Sequence, residues 1–367
     1  MKNEKTTVAV LYGGKSTEHE ISLLTAFSVI NAMDQKKYRV LPVYIKRDGR
    51  WIVGEEIKGE IAYKNQLLLK DNDAAESTVE HWLAPSAPTG VAAGRPDIVF
   101  PLLHGPNGED GTVQGMFELL NMAYIGSGVS GSSVTMDKVM MKDVLSAHDI
   151  PGPNYVSVTR FDWENDAPKM ILKVKNSIGY PCFTKPANGG SSVGISKCVS
   201  ETELSAAITE AFLYDAKVIV EEGITGREVE IGIIGNHDLL VSVPGEIITK
   251  NAAFYDYHSK YHEGNSTLVI PADLPDKVKA ELEEMAKRAF AALNLSGLAR
   301  VDAFIREKDQ RVIVNEVNTM PGFTQFSMFP LLWQHTGLPY HQLIEKLVDL
   351  GLEKYQEKQQ IHYQIEK

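Results

Sequence analysis

The chain has 367 residues, 43% of them hydrophobic, which is enough for two or three domains with cores of their own. Its formal net charge is −11, and so acidic a chain lacks the basic surface that nucleic-acid binding needs. The two cysteines, Cys182 and Cys198, exclude a disulfide framework and favour a reducing cytoplasm. Residues 1–7 lack the apolar run of a signal peptide, and no segment approaches the roughly 20 apolar residues of a membrane span. We therefore expect a cytoplasmic protein without a nucleic-acid or membrane partner.

The first part of the chain has the pattern of a doubly wound α/β layer. Short apolar runs predict buried parallel strands, and apolar residues at helical spacing predict the helices between them. The predicted elements are a strand over Thr7–Tyr12, a helix that begins at Ser16 or Thr17, strands over Arg39–Ile45 and Asp97–Leu103, and a helix over Thr112–Leu120. This β–α–β alternation predicts a parallel sheet covered by helices. Residues 54–95 are interpreted as an elaboration between strands.

After Gly126 the pattern changes to an α+β arrangement in two further parts. The first contains a predicted helix over Val134–His148, strands over Tyr155–Val158, Pro181–Lys185 and Gly194–Cys198, a helix over Glu201–Phe212 and a strand over Lys217–Glu222. The second contains predicted strands over Val229–Ile234, Leu239–Val243, Leu298–Ile305 and Val312–Val317 and helices over Asp276–Leu293 and Tyr340–Glu353. The polar stretch Lys250–Ser266 predicts a long loop of the kind that often serves as a lid. We expect domains over 1–126, 127–222 and 223–367.

The last two predicted strands carry side chains suited to a metal ion. Because alternate side chains of a strand share a face, Arg300 and Asp302 point one way, and so do Glu316 and Asn318. If the register matches, one face collects oxygen ligands of the kind that Mg²⁺ prefers. The alternative is the solvated outer face of an amphipathic hairpin. Four such groups close to Gly322 favour the metal site.

The segment 185–194 predicts a phosphate-binding loop. Gly189, Gly190 and Gly194 let the backbone approach a ligand, and Lys185 ends a strand just before them. The Walker pattern is absent, so a plain flexible turn is the alternative. Its combination with Lys138 and the metal-type hairpin favours phosphate binding.

Two further signals are weaker. Main-chain groups where the strand ends after Glu221 can bind an adenine edge and its carboxylate can accept the amino proton, although an ordinary strand connection explains the pattern as well. His258 and His262 have the spacing of a zinc pair but lack the accompanying Glu, and we expect no metal there.

The motifs, taken in order, resemble the D-alanine–D-alanine ligases of the ATP-grasp superfamily over nearly the whole chain. The segments that carry the resemblance are Tyr12–Ser22, Leu103–Gly111, Tyr124–Gly128, Met136–Lys138, Gly189–Gly194, Phe254–Tyr261, Arg300–Asp302 and Asn315–Gly322. The resemblance implies an ATP-grasp fold of α/β and α+β parts with an N-terminal doubly wound domain. It implies that ATP phosphorylates the first D-alanine and that the amine of the second attacks the acyl phosphate, in peptidoglycan precursor synthesis. It also implies two Mg²⁺ or Mn²⁺ ions per site and a homodimer.

The resemblance assigns roles to individual residues. The implied catalytic residues are Glu18, Ser191, Tyr261, Arg300 and Gly322. The implied substrate-binding residues are His104, Lys260 and Ser327. The implied ATP-binding residues are Lys138, Lys185, Glu221, Gly223, Ile224 and Glu228, and the implied metal ligands are Asp302, Glu316 and Asn318. Gly189 departs from the family, whose members often carry a larger side chain there.

Three alternative functions remain open. A D-alanine–D-lactate ligase would share the fold, but Tyr261 favours the dipeptide. An ATP-grasp ligase for another acid is disfavoured by Glu18 and His104, which belong to the amino-acid pocket. A non-catalytic nucleotide-binding protein is disfavoured by the complete metal set.

Overall fold

The computed structural model of the protein describes residues 5–70, 95–190, 193–249 and 266–362. Within these ranges the chain forms three β-sheets, which follow one another along the sequence. No helix in the described ranges is long and apolar enough to cross a membrane.

The first sheet is a mostly parallel layer covered on both faces. It consists of β1 (Thr6–Gly13), β2 (Tyr38–Ile45), β3 (Trp51–Val53) and β4 (Ile98–Pro101) in the order β3-β2-β1-β4. Its flanking helices are α1 (His19–Ala32) and α2 (Thr112–Leu119). β1 runs parallel to β2 and β4, and β3 is antiparallel at the edge. Val8 and Val10 pack with α1, whereas Ala9 and Leu11 pack with α2 on the opposite face. The predicted doubly wound layer is therefore confirmed.

The start of α1 differs from the prediction. Its N-cap is Glu18, and neither Ser16 nor Thr17 caps it. The Ser16 hydroxyl instead accepts a hydrogen bond from the Glu18 N–H (3.1 Å) and donates one to the carbonyl of His104 (3.0 Å). Ser16 thus joins the loop after β1 to the loop after β4, where two predicted site residues lie.

The prediction of one continuous helix over Val134–His148 is wrong. Two helices occupy this region, α3 (Val129–Met136) and α4 (Lys138–Ala147). Asp137 separates them, because its carboxylate accepts hydrogen bonds from the N–H groups of Val139 and Met140, each 3.1 Å long, and caps α4. The break makes Lys138 the first residue of α4.

The second sheet is antiparallel and forms the central part of the chain. It contains β5 (Tyr155–Thr159), β6 (Cys182–Pro186), β7 (Ser196–Cys198) and β8 (Lys217–Glu222) in the order β5-β8-β6-β7. Two helices cover it, α5 (Arg160–Ser177) and α6 (Glu201–Ala211). α5 was not predicted, because this helix buries only Met170 and Val174, contains Pro168 and kinks at Asp166. Cys182 and Cys198 are buried free cysteines and lie opposite each other on β6 and β7.

The third sheet carries the C-terminal part. Its strands are β9 (Gly226–Gly235), β10 (Leu240–Val241), β11 (Gly245–Thr249), β12 (Ser266–Val269), β13 (Gly297–Arg306) and β14 (Val312–Asn318). The order is β12-β11-β9-β13-β14, with β10 beside β9. The helices of this part are α7 (Asp276–Ala292), α8 (Met328–His335) and α9 (Tyr340–Lys358). The side chains of Leu343 and Leu347 on α9 join the same core as Val8 of the first sheet, which ties the two ends of the chain together.

Of the predicted lid loop, Lys250–Ser266, only the last residue lies within the described ranges. Residues 250–265 lie outside the described residues. Ser266, which the prediction assigned to the loop, is the first residue of β12 and pairs with Thr249 of β11. The strands β11 and β12 and the helix α8 were not predicted, and α9 extends five residues beyond the predicted end at Glu353.

Candidate active site

Predicted site residues from all three parts of the chain line one cleft with a volume of about 460 Å³. The predicted residues in its wall are Glu18, His104, Lys138, Arg300, Glu316, Asn318, Gly322 and Ser327. They meet there because the loops after β1 and β4, the start of α4 and the end of β14 face one another. Ser191, Lys260 and Tyr261 lie outside the described residues.

The hairpin of β13 and β14 has the register that the metal prediction required. Arg300 lies opposite Asn318, and Asp302 lies opposite Glu316. The Arg300 guanidinium donates two hydrogen bonds to the Asp302 carboxylate, at 2.6 and 2.7 Å. Asn318 donates to the same carboxylate at 3.0 Å. Arg300, Asp302 and Asn318 are thus joined by hydrogen bonds, and the charge of Glu316 on the neighbouring strand acts on Arg300.

Glu230 is a further partner of Arg300 that sequence reasoning missed. It lies on β9 directly opposite Asp302, and its carboxylate is 2.9 Å from Arg300 Nε. Arg300 is therefore held between carboxylates on two strands. The available signal was the alternation of β9, in which Glu228 and Glu230 share a face.

The donor set of the hairpin fits a magnesium ion that phosphate oxygens help to coordinate. Asp302 and Glu316 offer carboxylate oxygens, and Asn318 offers an amide oxygen. Among the described residues, no three His, Cys, Asp or Glu side chains converge into a ready-made metal cluster. Magnesium commonly takes one or two carboxylates and completes its octahedron with water and substrate phosphates, so a two-carboxylate face is sufficient.

Glu18 lies between two loops that approach it closely. A Cβ atom at Gly105 would be 2.7 Å from Glu18 Oε2, and a Cβ atom at Gly190 would be 2.9 Å from the same oxygen. A larger residue at either position would therefore require the Glu18 carboxylate to move. The contact brings a buried carboxylate of the first sheet's layer against the Gly-rich loop of the central part, next to the predicted Ser191.

His104 is buried and Glu109 is half-buried, and the charge of Glu18 acts on both. His104 Nε2 is 3.3 Å from the Thr25 hydroxyl, and burial lowers its pKa although the charge of Glu18 acts in the opposite direction. Glu109 accepts a hydrogen bond of 2.6 Å from the Gly105 N–H, and burial together with the charge of Glu18 raises its pKa to about 8. Glu109 was part of a recognised motif but had no predicted role. Its place in a Gly-rich turn five residues after His104 was the available signal.

The two predicted phosphate lysines have different partners: Lys138 contacts the Gly-rich loop after β6, and Lys185 contacts Glu221. Lys138 Nζ donates to the carbonyl of Gly189 at 2.6 Å, and the Lys138 N–H donates to the carbonyl of Ala187 at 3.0 Å. Lys185 Nζ is 2.6 Å from Glu221 Oε2. Burial alone would lower the pKa of Lys185, but the charges of Glu221 and Glu316 outweigh it and raise that pKa.

The other predicted nucleotide residues follow the end of β8. The Gly223 N–H donates to the carbonyl of Pro181 at 3.1 Å, and a Cβ atom at Gly223 would be 3.0 Å from that oxygen. Ile224 is half-buried, and Glu228 is exposed near the start of β9. The charge of Glu228 helps to raise the pKa of Lys185, so these residues share one electrostatic neighbourhood.

Gly322 and Ser327 are neighbours at the other end of the cleft. A Cβ atom at Gly322 would be 3.3 Å from the Ser327 hydroxyl oxygen. That oxygen accepts a hydrogen bond of 3.1 Å from the Thr324 N–H and lies 2.8 Å from the Thr324 hydroxyl. The turn that leads into α8 therefore holds both groups in a defined place.

Comparison with known families decides the classification. The profile described as D-ala D-ala ligase N-terminus matches residues 7–127, and the one described as D-ala D-ala ligase C-terminus matches residues 144–349. The chain belongs to the D-alanine–D-alanine ligase family. Among its curated relatives is the D-alanine–D-alanine ligase of Geobacillus kaustophilus, which is 51% identical over 99% of both chains. The enzyme of the same name from Listeria innocua is 48% identical over 99% of this chain and 100% of its own.

Solved structures of related enzymes have the same fold. The D-Ala:D-Ser ligase VanG from Enterococcus faecalis has a TM-score of 0.82 at 34% identity, covering 95% of this chain and 100% of its own. The D-alanine–D-alanine ligase from Coxiella burnetii has a TM-score of 0.78 at 34% identity, covering 97% and 96%. As a member of the D-alanine–D-alanine ligase family, the chain is an ATP-dependent ligase with the ATP-grasp fold, as the resemblance implied.

Proposed function

We propose that the cleft joins two D-alanine molecules into D-alanyl-D-alanine for the cell wall, through an acyl phosphate, and that the predicted residues carry out this reaction. The observation that carries the proposal is the contact between Glu18 and Gly190. It joins a carboxylate suited to an amino-acid ammonium to a loop suited to phosphate, in the cleft that Arg300 and Glu316 also line. Amino-acid binding and phosphoryl transfer can therefore occur within one cavity.

In the first step, an oxygen of the first D-alanine's carboxylate attacks the γ-phosphorus of ATP. The bond from that phosphorus to the bridging oxygen breaks, and ADP leaves. Glu18 holds the ammonium group of the amino acid, and His104 packs beside it. Lys138 and Lys185 carry the positive charge that the phosphates need, and Glu221, Gly223, Ile224 and Glu228 hold the adenosine.

Asp302, Glu316 and Asn318 are the residues that would hold the metal ions, which we propose to be two Mg²⁺ or Mn²⁺. Such ions, when bound, neutralise the phosphate charge that builds up during transfer. Arg300 holds the Asp302 carboxylate in place through its two hydrogen bonds.

In the second step, the amine of the second D-alanine attacks the acyl carbon. A tetrahedral oxyanion forms, the amine loses a proton, and the bond to the phosphate oxygen breaks. Arg300 and the N–H of Gly322 are the proposed donors to that oxyanion. Ser327 and Lys260 bind the second carboxylate.

An acyl phosphate hydrolyses when water reaches it, so the site needs a cover. We propose that Lys250–Ser266 supplies this lid and that Ser191 and Tyr261 connect it to Glu18.

We further propose domains over 1–126, 127–222 and 223–367, a cytoplasmic location and a homodimer. The separate family matches that end at residue 127 and begin at residue 144 support the first of these boundaries.

Phosphate release at saturating ATP and Mg²⁺ tests the function. We expect release that depends on D-alanine, no release with L-alanine, and D-alanyl-D-alanine as the product by mass spectrometry. A second arm with D-alanine plus D-serine or D-lactate measures the choice of the second substrate. Absence of D-alanine-dependent phosphate release would contradict the proposal. A larger yield of D-alanyl-D-serine or D-alanyl-D-lactate than of D-alanyl-D-alanine would contradict the assignment of D-alanine as the second substrate.

A further inference from the structure

Lys142 is a buried lysine to which neither the sequence nor the proposed reaction assigns a role. It lies on α4, one turn after Lys138, and its side chain is 3% exposed. Its Nζ is 3.1 Å from Glu221 Oε1 and donates a hydrogen bond of 2.7 Å to the carbonyl of Asn315. Burying an ammonium group is costly unless it is paired, so these contacts are what keep Lys142 in the interior.

Glu221 consequently has two cationic partners. Lys185 Nζ is 2.6 Å from its Oε2, and Lys142 Nζ is 3.1 Å from its Oε1. Burial alone would raise the pKa of Glu221, but the two lysines lower it to about 2. The carboxylate is therefore fully ionised at neutral pH.

The two lysines differ in what they can do next. Lys185 lies at the end of β6, just before the Gly-rich loop, and its proposed role requires its ammonium group to reach the ATP phosphates. If it turned away and Glu221 had no second partner, a carboxylate that is 2% exposed would be left without a cation. Lys142 is anchored to the Asn315 carbonyl, so its ion pair with Glu221 does not depend on the position of Lys185.

Glu221 also keeps the capacity to bind a base. An ionised carboxylate offers about four lone-pair positions, and each lysine approaches only one of the two oxygens. The exocyclic amino group of adenine is a donor and matches the remaining positions, whereas the corresponding group of guanine is a carbonyl and would face the carboxylate as a second acceptor. An ionised, fixed Glu221 therefore favours ATP over GTP.

We propose that Lys142 is a positioning residue for the nucleotide, which holds the Glu221 carboxylate in place for the adenine amino group and so allows Lys185 to serve the phosphates. The proposal rests on the proposed nucleotide role of Glu221. Through Asn315, which immediately precedes Glu316, Lys142 also connects the base-binding strand to the strand with the proposed metal ligands.

The test is a double-mutant cycle in the full-length protein, with Lys142→Met, Glu221→Gln and the combination of both. Calorimetry measures the Kd of Mg·ATP and of Mg·GTP without any acceptor, and steady-state assays with D-alanine separate KM from kcat. We expect Lys142→Met to weaken ATP binding by about tenfold, to change GTP binding less and to raise KM for ATP more than it lowers kcat. In the Glu221→Gln background the same substitution should have little effect, because the charge it compensates is gone.

A half-buried lysine outside the proposed site is the control. Lys354 donates to a backbone carbonyl, that of Gly126, at 3.0 Å, and lies over the Tyr124 ring. Lys354→Met should lower thermal stability without changing the ratio of the ATP and GTP dissociation constants. This control separates the loss of a lysine that packs in the structure from the loss of Lys142 itself.

Several outcomes would overturn the proposal. The first is a folded Lys142→Met variant that binds ATP as tightly as the parent and has the same ratio of ATP and GTP dissociation constants. The second is a Lys142→Met substitution that weakens ATP binding, or prevents folding, as much in the Glu221→Gln background as in the parent. That result would mean that Lys142 acts only through Asn315. A parent protein that binds ATP but shows no D-alanine-dependent phosphate release would contradict the proposed function alone, because the binding cycle does not depend on the acceptor.

Discussion

The Glu18 carboxylate lies against the backbone of Gly190, with its Oε2 only 2.9 Å from where a Cβ atom at position 190 would be. Gly190→Ala would push this carboxylate out of its place beside the cleft. Because small displacements of a positioned group cost up to about 100-fold in rate, we expect kcat/KM for D-alanine to fall on the order of 100-fold. Steady-state kinetics with D-alanine as the varied substrate measure the effect.

The neighbouring glycine offers a matched control. A Cβ atom at Gly189 would be 3.5 Å from Pro186 Cβ, an ordinary van der Waals distance, and would not approach Glu18. Gly189→Ala should therefore retain activity within about threefold, a change of under 1 kcal/mol in the barrier. Equal activity of the two variants would show that the contact with Glu18 has no part in catalysis.

Glu316 is the carboxylate whose removal should best separate metal binding from folding. Glu316→Gln keeps the shape of the side chain but removes the charge that faces the cleft. We expect kcat to fall on the order of 100-fold, with an increased requirement for Mg²⁺ and an unchanged melting temperature within about 2 °C. The control is Glu307→Gln in the exposed turn between β13 and β14, which should behave as the parent. Near-normal turnover of Glu316→Gln would remove it from the metal site.

The spacing of apolar residues in the sequence was sufficient to predict the strands and helices whose side chains are buried at regular intervals. β1 alternates between two apolar cores, and the facing positions of β13 and β14 follow from the period of two in a strand. The meeting of Arg300, Asp302 and Glu316 was therefore predictable once the two strands were recognised. The substrate assignment depended on the family resemblance, because no local pattern relates Glu18 to His104.

The features that were missed have local as well as tertiary causes. α5 buries only Met170 and Val174, contains Pro168 and kinks at Asp166, so its sequence lacks a long regular apolar stripe. Lys142 has the spacing of an ordinary surface lysine on an amphipathic helix, and only the approach of Glu221 and the Asn315 carbonyl makes it an interior residue. The break at Asp137 could have been predicted, because aspartate is a preferred N-cap residue.

Asp137 stabilises the helix that starts with Lys138. Its carboxylate accepts two N–H hydrogen bonds and also forms an ion pair with Lys217. Asp137→Ala removes both interactions, so we expect a loss of about 1–2 kcal/mol in the free energy of unfolding. We also expect a higher KM for ATP, because the first turn of α4, which begins with Lys138, is no longer capped. Urea unfolding and ATP kinetics measure the two effects.

Another capped helix shows whether the change in KM is specific. Thr159 caps α5 by accepting a hydrogen bond of 3.1 Å from the Asp162 N–H. Thr159→Ala should cost about 1 kcal/mol of stability and leave KM for ATP unchanged, because α5 carries no proposed site residue. A similar rise in KM for both variants would indicate a general loss of stability.

Glu109 should make the stability of the protein depend on pH. Its pKa is raised in the folded state to about 8, chiefly by burial and then by the charge of Glu18, from an ordinary value of 4.5. An acid with a raised pKa contributes stability that is fully present below its unfolded pKa and is lost as the pH rises through its folded pKa. The window for this loss is therefore about pH 4.5 to 8. Glu109→Gln cannot ionise, so its free energy of unfolding should fall less between pH 5 and pH 8 than that of the parent, by an amount on the order of a few kcal/mol. Urea unfolding at several pH values across this window gives the two slopes, and parallel slopes would mean that Glu109 titrates at its ordinary pKa in the folded protein.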